Sequence, residues 1–246
     1  MAVGDYYCNS TTGQAYVVSA ANLAAAKAEG ITPIAAVISL NPSQNDKNHG
    51  WKHGYGISLK AVFDNKAWAV EEKLYQSSSH RFTLPEDGFK DVDGYEGTHY
   101  ITDNNVYSAA THPAFFAAIN FDVPAPTTSS GWYLPAPGQT YQMLLACGTG
   151  DYTTASYKNE AGDYGWQNNT YAQAFYRNMG TFLSSAGEGY YTAWPEDRTV
   201  RTWTCVEKNE AKSIGFETYG AQIWFWNADD SKTLSNTFYT RPFISF

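Results

Sequence analysis

From Tyr190 to Phe246 the chain consists of short strand-like segments separated by turns: "RTWTCVE", "KSIGFETYG", "QIWFWN" and "FYTRPFISF". Each is rich in Thr, Ile, Trp, Phe or Tyr and is bounded by Gly, Asn, Asp or Lys, the pattern of strands joined in antiparallel fashion. Helical periodicity lies earlier. "AANLAAAKAEG" predicts a short helix with Ser19 as N-cap and Gly30 at its stop, and "THPAFFAAINF" a second, with Thr111 as N-cap and Pro113 in the first turn. In "TYAQAFYRNMGTFLSS", Ala172, Phe175, Tyr176, Met179, Phe182 and Leu183 recur at helical spacing and mark a core-facing stripe. No repeat, linker or shift of composition divides the chain, so the expectation is a single α+β domain over residues 1–246.

The remaining segments fill in this outline. "GDYYCNSTTGQAYVVS" reads as a hairpin around Ser10 to Gly13, and "ITPIAAVISL" and "HGYGISLKAVF" as strands flanking a polar loop, "NPSQNDKNHGWK". Residues 64–100 read as irregular. "SSGWYLPAPGQTYQMLLACG" is a strand at Trp132–Leu134, a turn at Pro135, Pro137 and Gly138, and a helix with Tyr141, Leu144 and Leu145 on one face, stopped by Gly148.

That strand–turn–helix carries no Gly-x-Ser-x-Gly nucleophile, and the chain has no glycine-rich phosphate loop. His49 and His53 in "HGWKHG" have a metal-ligand spacing only on a helix, which Gly50 and Gly54 oppose. "EDGFKDVDGYEG" fits no EF-hand register and reads as a loop with Asx-turns. No acid–base constellation emerges, so the reading is a non-enzymatic protein with no metal and no cofactor. The formal charge of −8 and the scattered Lys and Arg argue against nucleic acid as a partner. No stretch approaches the roughly 20 apolar residues that span a bilayer, so no direct membrane insertion is expected. "MAVGDYYCNS" lacks the charged and apolar regions of a signal peptide. Cys8, Cys147 and Cys205 match no zinc spacing; they read as buried thiols, with a Cys147–Cys205 disulfide left open.

Aromatic residues make up 16% of the chain, as many as the charged ones, which suits both a core and a contact surface. In "QIWFWN", strict alternation puts Ile223 and Phe225 on one face and Trp224 and Trp226 on the other. Either this strand is buried on both sides, or the Trp pair faces a partner. The second reading makes residues 194–246 a ligand-display region. Its binding residues are Tyr219, Trp224, Trp226, Asn227, Asp229 and Asp230, for a protein or glycan ligand.

"DGYEGTHYI", "SSGWYLPAPGQTYQMLLACG", "RTWTCVE" and the closing "FYTRPFISF" resemble landmarks of Bacteroides-type fimbrillin-like and cell-surface proteins. The C-terminal region of that family has a C-type-lectin-like fold. The resemblance implies two to four helices around a twisted, mainly antiparallel sheet with a β-rich C-terminal region. It also implies a cell-surface or extracellular location. The segment from Trp203 to Phe246 is similar to the diversified region of variable proteins from diversity-generating retroelements. Trp203, Glu207, Arg241 and Pro242 fall on the scaffold positions. "WPED" and "WNAD" depart from the tripeptides of calcium-dependent lectins, which argues against calcium-dependent sugar binding. The function implied is an adhesin or receptor-binding domain on a bacterial surface or pilus. The alternatives are a structural pilus or fibre subunit with its own kind as neighbours, and a phage tail-fibre receptor binder on a virion.

Overall fold

The fold is that of a computed structural model describing residues 1–62, 65–82, 84–158, 163–167, 170–227, 230–234 and 238–246. The N-terminal part runs β1 (Tyr6–Asn9), β2 (Ala15–Val18), α1 (Leu23–Ala28), β3 (Thr32–Ser39), α2 (Gln44–Asn48) and β4 (Tyr55–Ser58). A helical middle follows, with α3 (Pro85–Gly88), α4 (Gly94–Asn104), α5 (Pro113–Ile119) and α6 (Pro137–Ala146). Then come β5 (Tyr157–Lys158), β6 (Tyr164–Gln167), α7 (Thr170–Ser184), β7 (Val200–Glu207), β8 (Ser213–Tyr219), β9 (Gln222–Asn227), β10 (Phe238–Tyr239) and β11 (Phe243–Ser245).

These strands form two sheets rather than one. The first has the order β11-β4-β3-β1-β2 and the second β10-β7-β8-β9-β6-β5. Pairing is antiparallel throughout except for β10 beside β7. The C-terminal strand β11 returns to the first sheet, so the two ends of the chain share one layer. Strand β3 is buried at every position after Thr32, as its unbroken apolar run requires of a strand covered on both faces. One face of the first sheet meets Phe121, Trp132 and Phe246 in a small outer cluster. A larger core unites Tyr6 and Ile57 of the first sheet with Trp203, Phe216 and Phe225 of the second.

Three helices escaped the sequence reading: α2, α4 and the single turn α3, which lies wholly in the stretch read as irregular. Helix α2 lies in the segment read as a polar loop; Ser43 Oγ caps it by accepting from Asp46 N–H at 2.9 Å. Helix α4 lies partly in the stretch read as irregular. Gly94 and Gly97 each cost helix propensity, by about 1 kcal/mol. Tertiary packing overrides that cost: a Cβ on Gly97 would lie 2.5 Å from Cys205 Sγ, and one on Gly94 2.2 Å from Gln139 Oε1. The glycines thus let α4 approach β7 and the start of α6. Thr98 fixes that approach, with its hydroxyl donating to Leu134 O and accepting from Leu134 N–H, both at 3.1 Å.

The expected caps also differ. Ser19 precedes a 3-10 turn and makes no side-chain cap. His112 occupies the cap of α5, while Thr111 Oγ1 donates to Val106 O at 2.7 Å. The three cysteines are buried and unbonded to one another.

The segment from Trp132 to Gly148 is a strut between the layers. Tyr133 bridges to Phe243, and α6 packs against β3 on one side and β7, β8 and β9 on the other. A buried polar chain runs beside it. Gln139 Nε2 donates to Tyr133 Oη (2.9 Å), Tyr133 Oη meets Ser245 Oγ (2.7 Å), and Ser245 Oγ donates to Asp46 Oδ2 (3.0 Å). Burial pushes the Asp46 carboxyl up to about 6, against the partial relief of the Ser245 hydrogen bond. The native state therefore holds this proton more tightly than the unfolded chain, and its contribution to stability falls as pH rises from about 4 to about 6. Asp46→Asn removes that titration. Its stability relative to wild type is expected to rise across this window, by about 3 kcal/mol at pH 7. Chemical denaturation at pH 4 and pH 7 measures the difference; an unchanging gap would refute the assignment.

Two buried cations tie the loops to the sheets. Lys232 Nζ donates to Glu207 Oε2 at 2.5 Å and to Lys73 O at 2.7 Å, and both charged side chains are fully buried. Glu207 also accepts from the N–H groups of Tyr75 and Gln76. Arg241 donates to Ser58 O, Leu59 O and Thr192 O with its guanidinium against the Trp194 ring.

Candidate ligand-binding face

The outward face of the second sheet carries the side chains suited to a contact surface. Cross-strand pairing sets Arg201 of β7 opposite Glu217 of β8, and Glu217 opposite Trp224 of β9. These three residues make one transverse row on three adjacent strands. Beyond Trp224 the row meets Gly165 of β6, which has no side chain to cover the indole. Trp224 is half-buried. The hairpin from β8 to β9 turns at Gly220 and Ala221, with Gly220 at φ +52, and Tyr219 at its tip is 51% exposed.

Charge is concentrated at the other end of the row. Arg201 Nε donates to Glu217 Oε2 at 2.5 Å and lies 3.7 Å from Asp230 Oδ2. Burial pushes the Asp230 carboxyl up to about 6. Arg201 opposes this rise, whereas Glu217 and Asp163 add to it. The group is an acid-rich patch with one guanidinium at its centre, beside an indole. Such a patch can offer hydrogen-bond acceptors and a flat apolar surface to a ligand.

Of the residues expected to bind, the structure brings Tyr219, Trp224 and Asp230 to this side of the sheet, while Asn227 ends β9 opposite Gly215. Asp229 lies outside the described residues. Trp226 belongs elsewhere: it is only 1% exposed, edge-on to Phe89 at 5.5 Å. A Cβ on Gly88 would lie 2.1 Å from its ring, so the indole occupies the space that this glycine leaves. The cause is a β-bulge. Tyr164 and Gly165, adjacent on β6, pair with Trp226 and Trp224, and on β8 Gly215 and Glu217 pair with Asn227 and Trp224. Both neighbours thus count one extra residue on β9 between Trp224 and Asn227. An extra residue re-aims the side chains that follow it, and Phe225 and Trp226 are both buried.

Arg201 and Glu217 were missed by sequence reading, although a signal existed. They are charged residues inside apolar strand segments, and opposite charges on adjacent strands form a cross-strand pair when the register aligns them. That register depends on the hairpin turn at Gly220. Among the described residues no group of three or more His, Cys, Asp and Glu side chains could hold a metal ion. No helix among them is long and apolar enough to cross a membrane.

A fimbrial protein from Bacteroides ovatus, known from its crystal structure, shares this fold, with a TM-score of 0.64 at 15% sequence identity. The likeness covers 100% of this chain but 49% of the fimbrial protein, so the chain spans about half the length of that neighbour. No family model and no curated protein matches the chain.

Proposed function

We propose that the chain is a non-enzymatic ligand-binding domain displayed on a bacterial surface fibre, and that its ligand is held on the outer face of the second sheet. The row of Arg201, Glu217 and Trp224, leading to the exposed Tyr219, carries this reading. It offers an aromatic anchor beside partly desolvated hydrogen-bonding groups, the composition of binding hot spots. The fold shared with a fimbrial protein supports placement on a fibre. The finer reading is a C-type-lectin-like domain in which residues of β9 and the loop after it are displayed on a scaffold of Trp203, Glu207, Arg241 and Pro242. The scaffold side chains are buried, as that reading requires. Within it, the protein is a variable protein of a diversity-generating retroelement, which a reverse-transcriptase gene beside its own would support.

The test is substitution on the displayed row. Trp224→Ala and Tyr219→Ala are expected to weaken binding to a ligand captured from the native host surface by about 2 kcal/mol or more each. Melting temperature should change little for Tyr219→Ala. Binding by calorimetry that survives both changes in a folded protein would remove this face from consideration.

The second reading is a structural fibre subunit. It is favoured by strand β2, which ends the first sheet and exposes Tyr16 and Val17, a short apolar edge of the kind that recruits another strand. Concentration-dependent polymerisation of the full-length protein, abolished by Val17→Lys, would select it over the first.

A further inference from the structure

Away from the second sheet, two cavities lie side by side and share Lys60 and Asp122 in their walls. The larger, of about 620 Å³, is floored by Pro33 and Ile34 and walled by the β1–β2 turn, residues 122–125 and Tyr190. The smaller, of about 480 Å³, is bounded by α5 and presents Phe116, which is 37% exposed. Together they form a trough with one aromatic ring in each half and a cation and a carboxylate at the waist. Each volume falls within the range of small-ligand sites.

The walls are fixed in advance. Ser10 Oγ accepts from the N–H groups of Thr12 and Gln14, which closes the β1–β2 turn on itself. Asn9 Nδ2 donates to Pro124 O at 3.1 Å and ties that turn to the opposite wall, and Trp132 Nε1 holds Val123 O at 2.6 Å. Lys27 Nζ lies over the Tyr190 ring, 4.8 Å from its centroid, and the Tyr107 ring stands 6.0 Å from Phe116. A cavity that needs no rearrangement loses little affinity to ordering.

The lining selects among ligand classes. The floor offers nothing to an added peptide strand, since Pro33 has no N–H and Ile34 O already accepts from Leu59 N–H. The rest alternates flat apolar surfaces (Pro33, Pro124, Tyr190, Phe116) with hydroxyl and charged groups (Ser10, Thr11, Asp122, Lys60). That alternation complements a ring with an apolar C–H face and a rim of hydroxyls. We propose that this trough binds a linear oligosaccharide, one pyranose ring on Tyr190 and a second on Phe116, with the hydroxyls between them bonded to Asp122 and Lys60. The site is separate from the face of the second sheet and does not depend on it.

The probe is a panel of soluble di- to tetrasaccharides, α- and β-1,4-linked hexoses and N-acetylhexosamines, titrated calorimetrically into the full chain. At least one member is expected to bind. Tyr190→Ala and Asp122→Asn are each expected to weaken it about tenfold or more, from the loss of one ring platform or one charged acceptor. Tyr190→Phe should retain most of the affinity, which separates platform loss from misfolding. No binding by any member at millimolar concentration would overturn the proposal. So would binding that survives both Tyr190→Ala and Asp122→Asn.

Discussion

Lys232→Met is expected to destabilise the protein by about 3–5 kcal/mol, because it leaves the Glu207 carboxylate buried without its countercharge. Both partners are fully buried, and the ammonium also holds Lys73 O and lies 5.2 Å from the centroids of the Trp68 and Tyr75 rings. Burial lowers the lysine's pKa, and the Glu207 hydrogen bond and charge only partly restore it. The interaction is therefore strong as a pair and costly once broken. Glu207→Gln tests the other half: it preserves an acceptor for the N–H groups of Tyr75 and Gln76 but leaves the ammonium uncompensated. The two single changes should each cost several kcal/mol, and the double change less than their sum, since neither charge then remains to be stranded. Urea unfolding of the four proteins gives the coupling. Additive losses would mean that the two groups act independently.

Arg241→Met is expected to cost about 2–5 kcal/mol for a different reason. Among the described residues its hydrogen-bond partners are backbone carbonyls, not a carboxylate. The guanidinium donates to the buried Ser58 O and Leu59 O and to the part-buried Thr192 O; Leu59 O keeps a second donor in Thr192 N–H, and a carbonyl stranded away from water costs about 1–3 kcal/mol. Relief from burying a charge offsets part of this, since burial pulls the arginine down to about 9, still cationic at neutral pH. Arg241→Lys should recover little, because one ammonium cannot reproduce a planar fork that reaches carbonyls on two segments. Guanidinium chloride unfolding with an unchanged slope would measure the loss directly. A change below 1 kcal/mol in Arg241→Met would show that water satisfies those carbonyls instead.

What could be read from the sequence followed from local chemistry. The β1–β2 hairpin, the apolar strand β3, the α7 stripe and the strand at each C-terminal segment all have signals within a few residues, and all occur. Helix α2 had a local signal in its Ser43 cap, whereas α4 depends on distant partners. Gly94 and Gly97 argue against a helix until Gln139 and Cys205 are placed beside them. The expected single sheet is two, because β11 pairs with β4 across most of the length of the chain, a contact without local trace. The candidate face was half legible. Tyr219 and Trp224 follow from hairpin geometry, whereas the inward turn of Trp226 comes from one inserted residue that period-two counting cannot register.

The bulge in β9 has a bearing on how this protein can vary. Before it, Trp224 is half-buried on the outward face. After it, Phe225 and Trp226 are structural, although they stand in the same short aromatic run. A comparison of natural variants should show diversity stopping abruptly within "QIWFWN", at a boundary set by backbone geometry and invisible in composition. Any scheme that diversifies this hairpin by randomising alternate positions would spoil the core at Trp226.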